Sequence, residues 1–344
     1  DSMWTDMSEI VRPTRDGIHG REYISTAVDV GRKLTAITFD AHGELASPIP
    51  PTLTIPLPII FDTLPFGRYE RVYEAMAKAA AYLGTLMIVD ADEWFMGNRE
   101  ASPLIPYISQ PRGFDAELIA RCTMVEYAYK EEVFGVVEEV KKRNPGIIVA
   151  VRAPFGDAVE ELVEELTYAG VGIIHLYADI NGRAIDQTHK SSLFIKDMTW
   201  KVHRHLVDCK IRDEVTLMVS GGIAMAEHVA KSLICGADLT AIDLPLLLAL
   251  ECRYCKDCLT DKPSGTSAKR PVKNAPLSCP VALSDVEPQW AAQRIINLIG
   301  AWRNQLLEVL GAMGLREVRR LRGEVGRAIF FDDIEKETFD KIFA

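Results

Sequence analysis

From about residue 57 onward the chain alternates two kinds of hydrophobic pattern. Short runs that are apolar at nearly every position occur at Leu57–Phe61, Leu86–Val89, Ile105–Ser109, Val125–Tyr129, Gly146–Val151, Gly172–Tyr177, Val215–Val219 and Leu239–Ile242. Between them lie longer stretches with apolar positions every three or four residues: Tyr69–Leu83, Asp115–Ala120, Glu131–Arg143, Asp157–Ala169, Lys196–Val207 and Met225–Cys235. The first kind predicts buried strands and the second amphipathic helices. Strands without a polar face belong to a parallel sheet covered on both sides. About eight such units within roughly 200 residues fit a closed (β/α)8, TIM-like barrel. The alternative is an open, doubly wound sheet.

The flanks read differently. Residues 1–50 are polar and irregular, with a dense charged patch from Arg12 to Arg21, and predict an extension packed on the barrel. Pro48, Pro50, Pro51, Pro56 and Pro58 mark an extended connector into it. The layout expected is therefore an extension over 1–50, the barrel over 51–250, a cysteine-rich segment over 251–285 and helices over 286–344. Within the last part, Gln289–Met313 carries Trp290, Ile295, Leu298 and Trp302 on one broad stripe, a helix face packed against the barrel.

Composition narrows the function classes. The 344 residues are 48% hydrophobic, enough for a large core, and carry a formal charge of −10. That charge argues against nucleic acid as the main partner, and the basic runs Lys269–Lys273 and Arg316–Arg327 read as solvated faces. The longest apolar run, Leu244–Leu250, is too short to span a bilayer. Seven cysteines, an odd number, with no secretory signal, point to a reducing, cytoplasmic setting. The chain opens at Asp1 without a methionine, which suggests trimming from a longer one.

Four of those cysteines carry the sharpest chemistry. They read Cys252-Arg-Tyr-Cys255-Lys-Asp-Cys258, then Cys279-Pro280. Three thiolates at this spacing with a distant Cys-Pro match the pattern that holds an iron–sulfur cluster. Zinc is the rival, although four-cysteine zinc sites usually show two Cys-x2-Cys pairs. Cys122, Cys209 and Cys235 sit in apolar surroundings and read as small buried hydrophobes.

A second motif precedes them. Val215–Val219 leads into Ser220-Gly221-Gly222, and a helix follows. Glycines after an apolar strand let backbone N–H groups approach an anion, and the helix N-terminus favours negative charge. In barrels this unit, one before the last strand, commonly takes a phosphate.

These residues carry a family resemblance. The run from Val219 to Asp238, then Pro245–Cys252 and Cys279-Pro-Val281, resembles the flavin- and iron–sulfur-containing synthase domain of glutamate synthases. Pro58–Gly67 is similar to that family's first strand and turn, Ala79–Thr85 to its alanine-rich helix, and Ala301–Leu315 with Leu321–Arg327 to its trailing helices. The Arg12–Thr26 patch resembles the start of the stand-alone archaeal and bacterial members. The resemblance implies a barrel with FMN at its C-terminal mouth and an adjacent cluster on Cys252, Cys255, Cys258 and Cys279, with 4Fe-4S favoured over 3Fe-4S by the four cysteines. It implies that Ser220, Gly221 and Gly222 hold the FMN phosphate and that Arg152 faces the flavin where the family has lysine. It further implies glutamate formation from 2-oxoglutarate and ammonia. Electrons would come from a ferredoxin or redox partner subunit, since no Gly-x-Gly-x-x-Gly motif occurs. Ammonia would come from a separate amidotransferase subunit or from solution, and the chain would work in an oligomer or complex.

The sequence also departs from the family at its substrate and flavin loops: Val89–Trp94, Tyr127–Glu132, Asp179–Ala184 and Asp243-Leu244 replace glycine-rich segments. A carboxylate at Asp243 would repel a phosphate if it points inward. These changes define an alternative, a barrel without flavin chemistry that relays electrons or scaffolds a larger redox complex. Elsewhere, Asp90, Asp92 and Glu93 form an acidic run expected to be solvated. His175 reads as a satisfied core histidine. His203 and His205 lie two apart on a helix and diverge. His189 and Lys190 fall in a loop near the expected mouth.

Overall fold

The computed structural model describes residues 23–34, 36–47, 49–91, 103–110, 116–156, 158–185, 193–255 and 279–327. Eight parallel strands close into a barrel: β3 (Ile59–Phe61), β4 (Met87–Asp90), β5 (Leu104–Ile108), β6 (Met124–Ala128), β7 (Ile148–Pro154), β8 (Ile173–Tyr177), β9 (Thr216–Ser220) and β10 (Leu239–Ile242). The pairing Thr240↔Ile59, Ala241↔Ile60 and Ile242↔Phe61 joins the last strand to the first, which excludes the open sheet. The all-apolar strand runs are therefore the barrel wall, packed inside by side chains and outside by helices.

Between the strands lie α1 (Glu70–Leu83), α2 (Ala116–Arg121), α3 (Val133–Arg143), α4 (Val159–Tyr168), α5 (Ile195–Asp208) and α6 (Ala226–Ile234). After β10 comes a short helix absent from the sequence reading, α7 (Leu244–Ala249), built from the longest apolar run and capped by the Asp243 carboxylate, which accepts from the Leu244 N–H at 2.6 Å. The last long helix, α8 (Pro288–Ala312), starts at Glu287, whose carboxylate accepts from the N–H groups of Gln289 and Trp290. Ile295 and Trp302 of its stripe are buried, but Trp290 is 43% exposed. Its ring lies under Arg294 rather than in the core, on the face of α8 opposite the buried Ala291 and Ala292.

The opposite end of the barrel is closed by a hairpin the sequence reading also lacks, β1 (Val28–Gly31) against β2 (Thr52–Ile55). Thr216, at the bottom of β9, ties it on: its hydroxyl donates to the Gly31 carbonyl at 2.8 Å and accepts from the Gly31 N–H at 3.0 Å. The chain's two flanks meet there, with the Val318 N–H donating to the Ser25 carbonyl at 2.9 Å. Among the described residues no helix is long and apolar enough to cross a membrane.

Candidate functional site

A parallel barrel gathers the C-terminal ends of its strands at one mouth, so a polar residue near any strand end comes to face the others. Asp62 follows β3, Asp90 ends β4, Tyr107 lies in β5, Glu126 in β6, Arg152 in β7, His175 and Tyr177 in β8, Ser220 ends β9 and Asp243 follows β10. Charge in the middle of an apolar strand must be paired.

The pairing is centred on Arg152. Its guanidinium donates to both Asp62 carboxylate oxygens at 2.7 Å each, a two-pronged geometry that favours arginine over lysine. A Glu126 oxygen lies 3.6 Å away. The Tyr107 and Tyr177 rings lie 5.3 and 5.2 Å from the guanidinium carbon. Burial alone would raise the Asp62 carboxyl, but Arg152 beside it, helped by His175, holds it below the usual carboxylate range. The two carboxylates in turn hold the Arg152 guanidinium firmly protonated against its burial.

His175, fully buried, is satisfied as expected: Nδ1 lies 2.6 Å from Glu126 Oε1 and Nε2 lies 2.8 Å from Ser220 Oγ. Glu126 Oε2 has no hydrogen-bond partner among the described residues. Sequence reasoning passed over Asp62, Glu126, Tyr107 and Tyr177. The signal for two of them was present, a carboxylate in Met-Val-Glu-Tyr-Ala and another directly after Ile-Ile-Phe, each interrupting a strand pattern.

Beside Ser220, Gly221 and Gly222 take φ of +92° and +71°. A Cβ on Gly221 would fall on the Ala178 carbonyl, and one on Gly222 on the Gly182 backbone, so only glycine lets these loops cross. No backbone carbonyl among the described residues accepts the amides of Gly221, Gly222 or Ile223. Those amides fit an anion. On the adjacent strand end, Asp243 does not. Burial, and then the nearby Asp62, push its carboxyl up to about 6, so it is ionised at neutral pH. With Asp62 and Arg152 paired to each other, Asp243 adds a further carboxylate to the described mouth. The fit to FMN is thus partial: the amide loop suits its phosphate, while the neighbouring carboxylate and the committed arginine do not suit its charge.

The rim cysteines come next to this mouth. Cys252 follows α7, its N–H donating to the Leu247 carbonyl at 3.1 Å. Burial raises the Cys252 thiol, and Cys255 and Cys279 lie within electrostatic reach of it. Glu251 and Tyr254 adopt left-handed backbone with φ of +68° and +53°, curling the loop around its thiols. Such conformations in non-glycine residues cost about 1–2 kcal/mol each and gather at functional loops. Three thiols along one stretch of rim have the donor chemistry of an iron–sulfur cluster, while their sulfurs are not gathered to the spacing of a single metal ion. Cys258 lies outside the described residues, as do Asp92, Glu93, His189, Lys190, the Arg12–Arg21 patch and the Lys269–Lys273 run.

Of the other cysteines, Cys122 and Cys235 are buried, whereas Cys209 is only half-buried, its sulfur 3.7 Å from His205 Nε2. The two helix histidines diverge as expected: His203 accepts from Arg212 at 3.1 Å and His205 bonds Glu164 at 2.7 Å.

Comparison with known proteins adds ancestry to this geometry. Residues 193–316 match the conserved region in glutamate synthase, a span running from α5 through the glycine loop and rim cysteines to α8. An archaeal glutamate synthase [NADPH] of Methanocaldococcus jannaschii is 32% identical over 127 residues, 37% of this chain and 23% of that protein. Its counterpart in Archaeoglobus fulgidus is 23% identical over 98% of this chain and 75% of that one. That alignment is 397 positions long against 344 residues here, so the relative has segments with no counterpart in this chain. Among solved structures, a mandelate oxidase variant with an FMN adduct is 14% identical with a TM-score of 0.51, over 91% of this chain and 90% of that one, a likeness of fold. By its barrel, by the matched region and by the archaeal-type relatives that align along nearly all of it, the chain is similar to archaeal-type glutamate synthases.

Proposed function

We propose that the chain is the barrel subunit of a glutamate synthase-like oxidoreductase and holds an iron–sulfur cluster on Cys252, Cys255, Cys258 and Cys279. The observation that carries this reading is the approach of Cys252, Cys255 and Cys279 at the barrel rim, inside the matched region. A cluster there would supply one-electron transfer beside the mouth. The reaction class is reductive amination of a 2-oxo acid, 2-oxoglutarate to glutamate: ammonia replaces the carbonyl oxygen, two electrons and two protons reduce the carbon, and water leaves. The amides of Gly221, Gly222 and Ile223 would hold the phosphate of FMN, which when bound supplies hydride chemistry. Arg152 would orient anionic groups at the mouth. The A. fulgidus relative is named for NADPH, while this chain has no dinucleotide-binding motif, so a ferredoxin or partner subunit would deliver electrons. The protein would act in the cytoplasm, with ammonia from solution or a separate amidotransferase.

One observation favours a second reading. Arg152 is already neutralised by Asp62, and the Asp243 carboxylate lies on the strand end next to the glycine loop. A barrel in this state would keep the cluster and relay electrons without flavin. An anaerobic visible spectrum with iron and flavin analysis separates the two. Iron together with flavin is the expected result, iron alone selects the relay, and zinc without iron overturns both. Cys255→Ser should remove the cluster's absorbance.

A further inference from the structure

A second set of metal-binding side chains lies on the outside of the barrel, between α4 and α5. His205 and Cys209 are four residues apart and share one face of α5, since Cys209 keeps helical backbone at φ −74° and ψ −8°. Glu164 reaches them from the neighbouring α4. Its Oε2 lies 2.7 Å from His205 Nε2, and the Cys209 sulfur lies 3.7 Å from that same nitrogen. All three ligand atoms fall within 4.8 Å of one another. The helices run antiparallel to the strands, so the end of α5 lies toward the hairpin-closed bottom of the barrel, away from the rim cysteines.

We propose that Glu164, His205 and Cys209 bind one zinc ion, with water as the fourth ligand. Zinc takes sulfur at about 2.3 Å and imidazole nitrogen at about 2.0–2.1 Å, which in a tetrahedron sets the two roughly 3.5 Å apart. The sulfur–nitrogen pair is already at that separation. The carboxylate needs to retreat by well under about 1 Å from its present hydrogen bond to reach tetrahedral spacing. A set of one sulfur, one nitrogen and one oxygen suits zinc and excludes the oxygen-seeking magnesium and calcium. His205 also lines an open cleft with Glu160, Trp200, Lys201, Arg204 and Asp208, which leaves this edge of the group open to solvent. On binding, the thiol proton leaves to solvent and the neutral imidazole takes its Nδ1–H tautomer, which frees Nε2 for the ion. The ion would staple α4 to α5, and this does not depend on the redox reading of the mouth.

The test titrates the full-length protein with Co2+ and with Zn2+, alongside Cys209→Ala, His205→Ala and Glu164→Gln. Relative to wild type, Cys209→Ala should lose one equivalent of Co2+ and the matching part of the thiolate-to-cobalt band. His205→Ala and Glu164→Gln should each weaken that equivalent at least about tenfold. Zn2+ should raise the melting temperature of wild type more than that of Cys209→Ala. Equal metal stoichiometry in wild type and Cys209→Ala overturns the proposal, and so does an equal rise in melting temperature. Without metal, Cys209→Ser should unfold like wild type, which separates loss of a ligand from loss of the fold.

Discussion

At the scale of single residues, the barrel mouth depends on a charge pair that cannot be half removed. Arg152 and Asp62 are both buried, with side-chain exposures of 12% and 3%, so each is stabilised mainly by the other. Taking one away leaves an uncompensated charge in a site of low polarity. Arg152→Ala should therefore lower stability by about 3–5 kcal/mol in urea unfolding. The double change Arg152→Met with Asp62→Leu should cost less than either single truncation, because it removes the mutually paired charges together and leaves Glu126 held by His175. A single truncation that costs under about 1 kcal/mol would mean that the pair is solvated and the mouth open. Arg152 itself was legible in the sequence as a cation ending an apolar strand. Its partner was not, because Asp62 and Arg152 are 90 residues apart and only closure of the barrel brings them together.

At the scale of elements, the glycine loop after β9 shows why some positions are fixed by backbone rather than by ligand. Gly221 sits at φ +92° with the Ala178 carbonyl where a side chain would begin. Gly221→Ala should cost about 3 kcal/mol or more, combining left-handed strain with displacement of the neighbouring loop. Ser220→Ala, next to it, removes one buried hydrogen bond to His175 and should cost about 1–2 kcal/mol. Urea midpoints for the two variants give the comparison, and near-equal losses would contradict the packing argument. Periodicity revealed the barrel because each β/α unit repeats the same burial problem. It could not reveal the β1–β2 hairpin, whose strands are four residues each and lie in a proline-rich, polar context. Nor could it reveal α7, whose six residues are too few to show a helical period. The cysteine spacing was legible because it is local. The Glu164–His205–Cys209 group was not, since one member comes from another helix.

At the scale of the whole molecule, the two ends of the barrel carry different duties. The mouth gathers charged side chains, while the bottom is tied by a buried network that links distant parts of the chain. Arg212, 3% exposed, donates to His203 Nδ1 at 3.1 Å, to the Val215 and Gly236 carbonyls at 3.1 and 2.6 Å, and to Asp238 at 2.8 Å. Arg322, far along the chain, donates to the other Asp238 oxygen at 2.9 Å. His203 must stay neutral here, since its Nδ1 accepts the arginine's hydrogen. Burial, then Arg212 and Arg322, push its pKa down from 6.5 to about 4. Between these two values the unfolded chain binds a proton that the folded one does not. Stability therefore rises with pH across that window and is lost as pH falls from 6.5 toward 4. The melting temperature should drop over this range by more than it does in His203→Gln, whose amide can accept from Arg212 without titrating. The difference between the two profiles isolates the histidine from the carboxylates, which lose stability at lower pH in both. Parallel profiles for wild type and His203→Gln would show that the bottom network does not control acid stability.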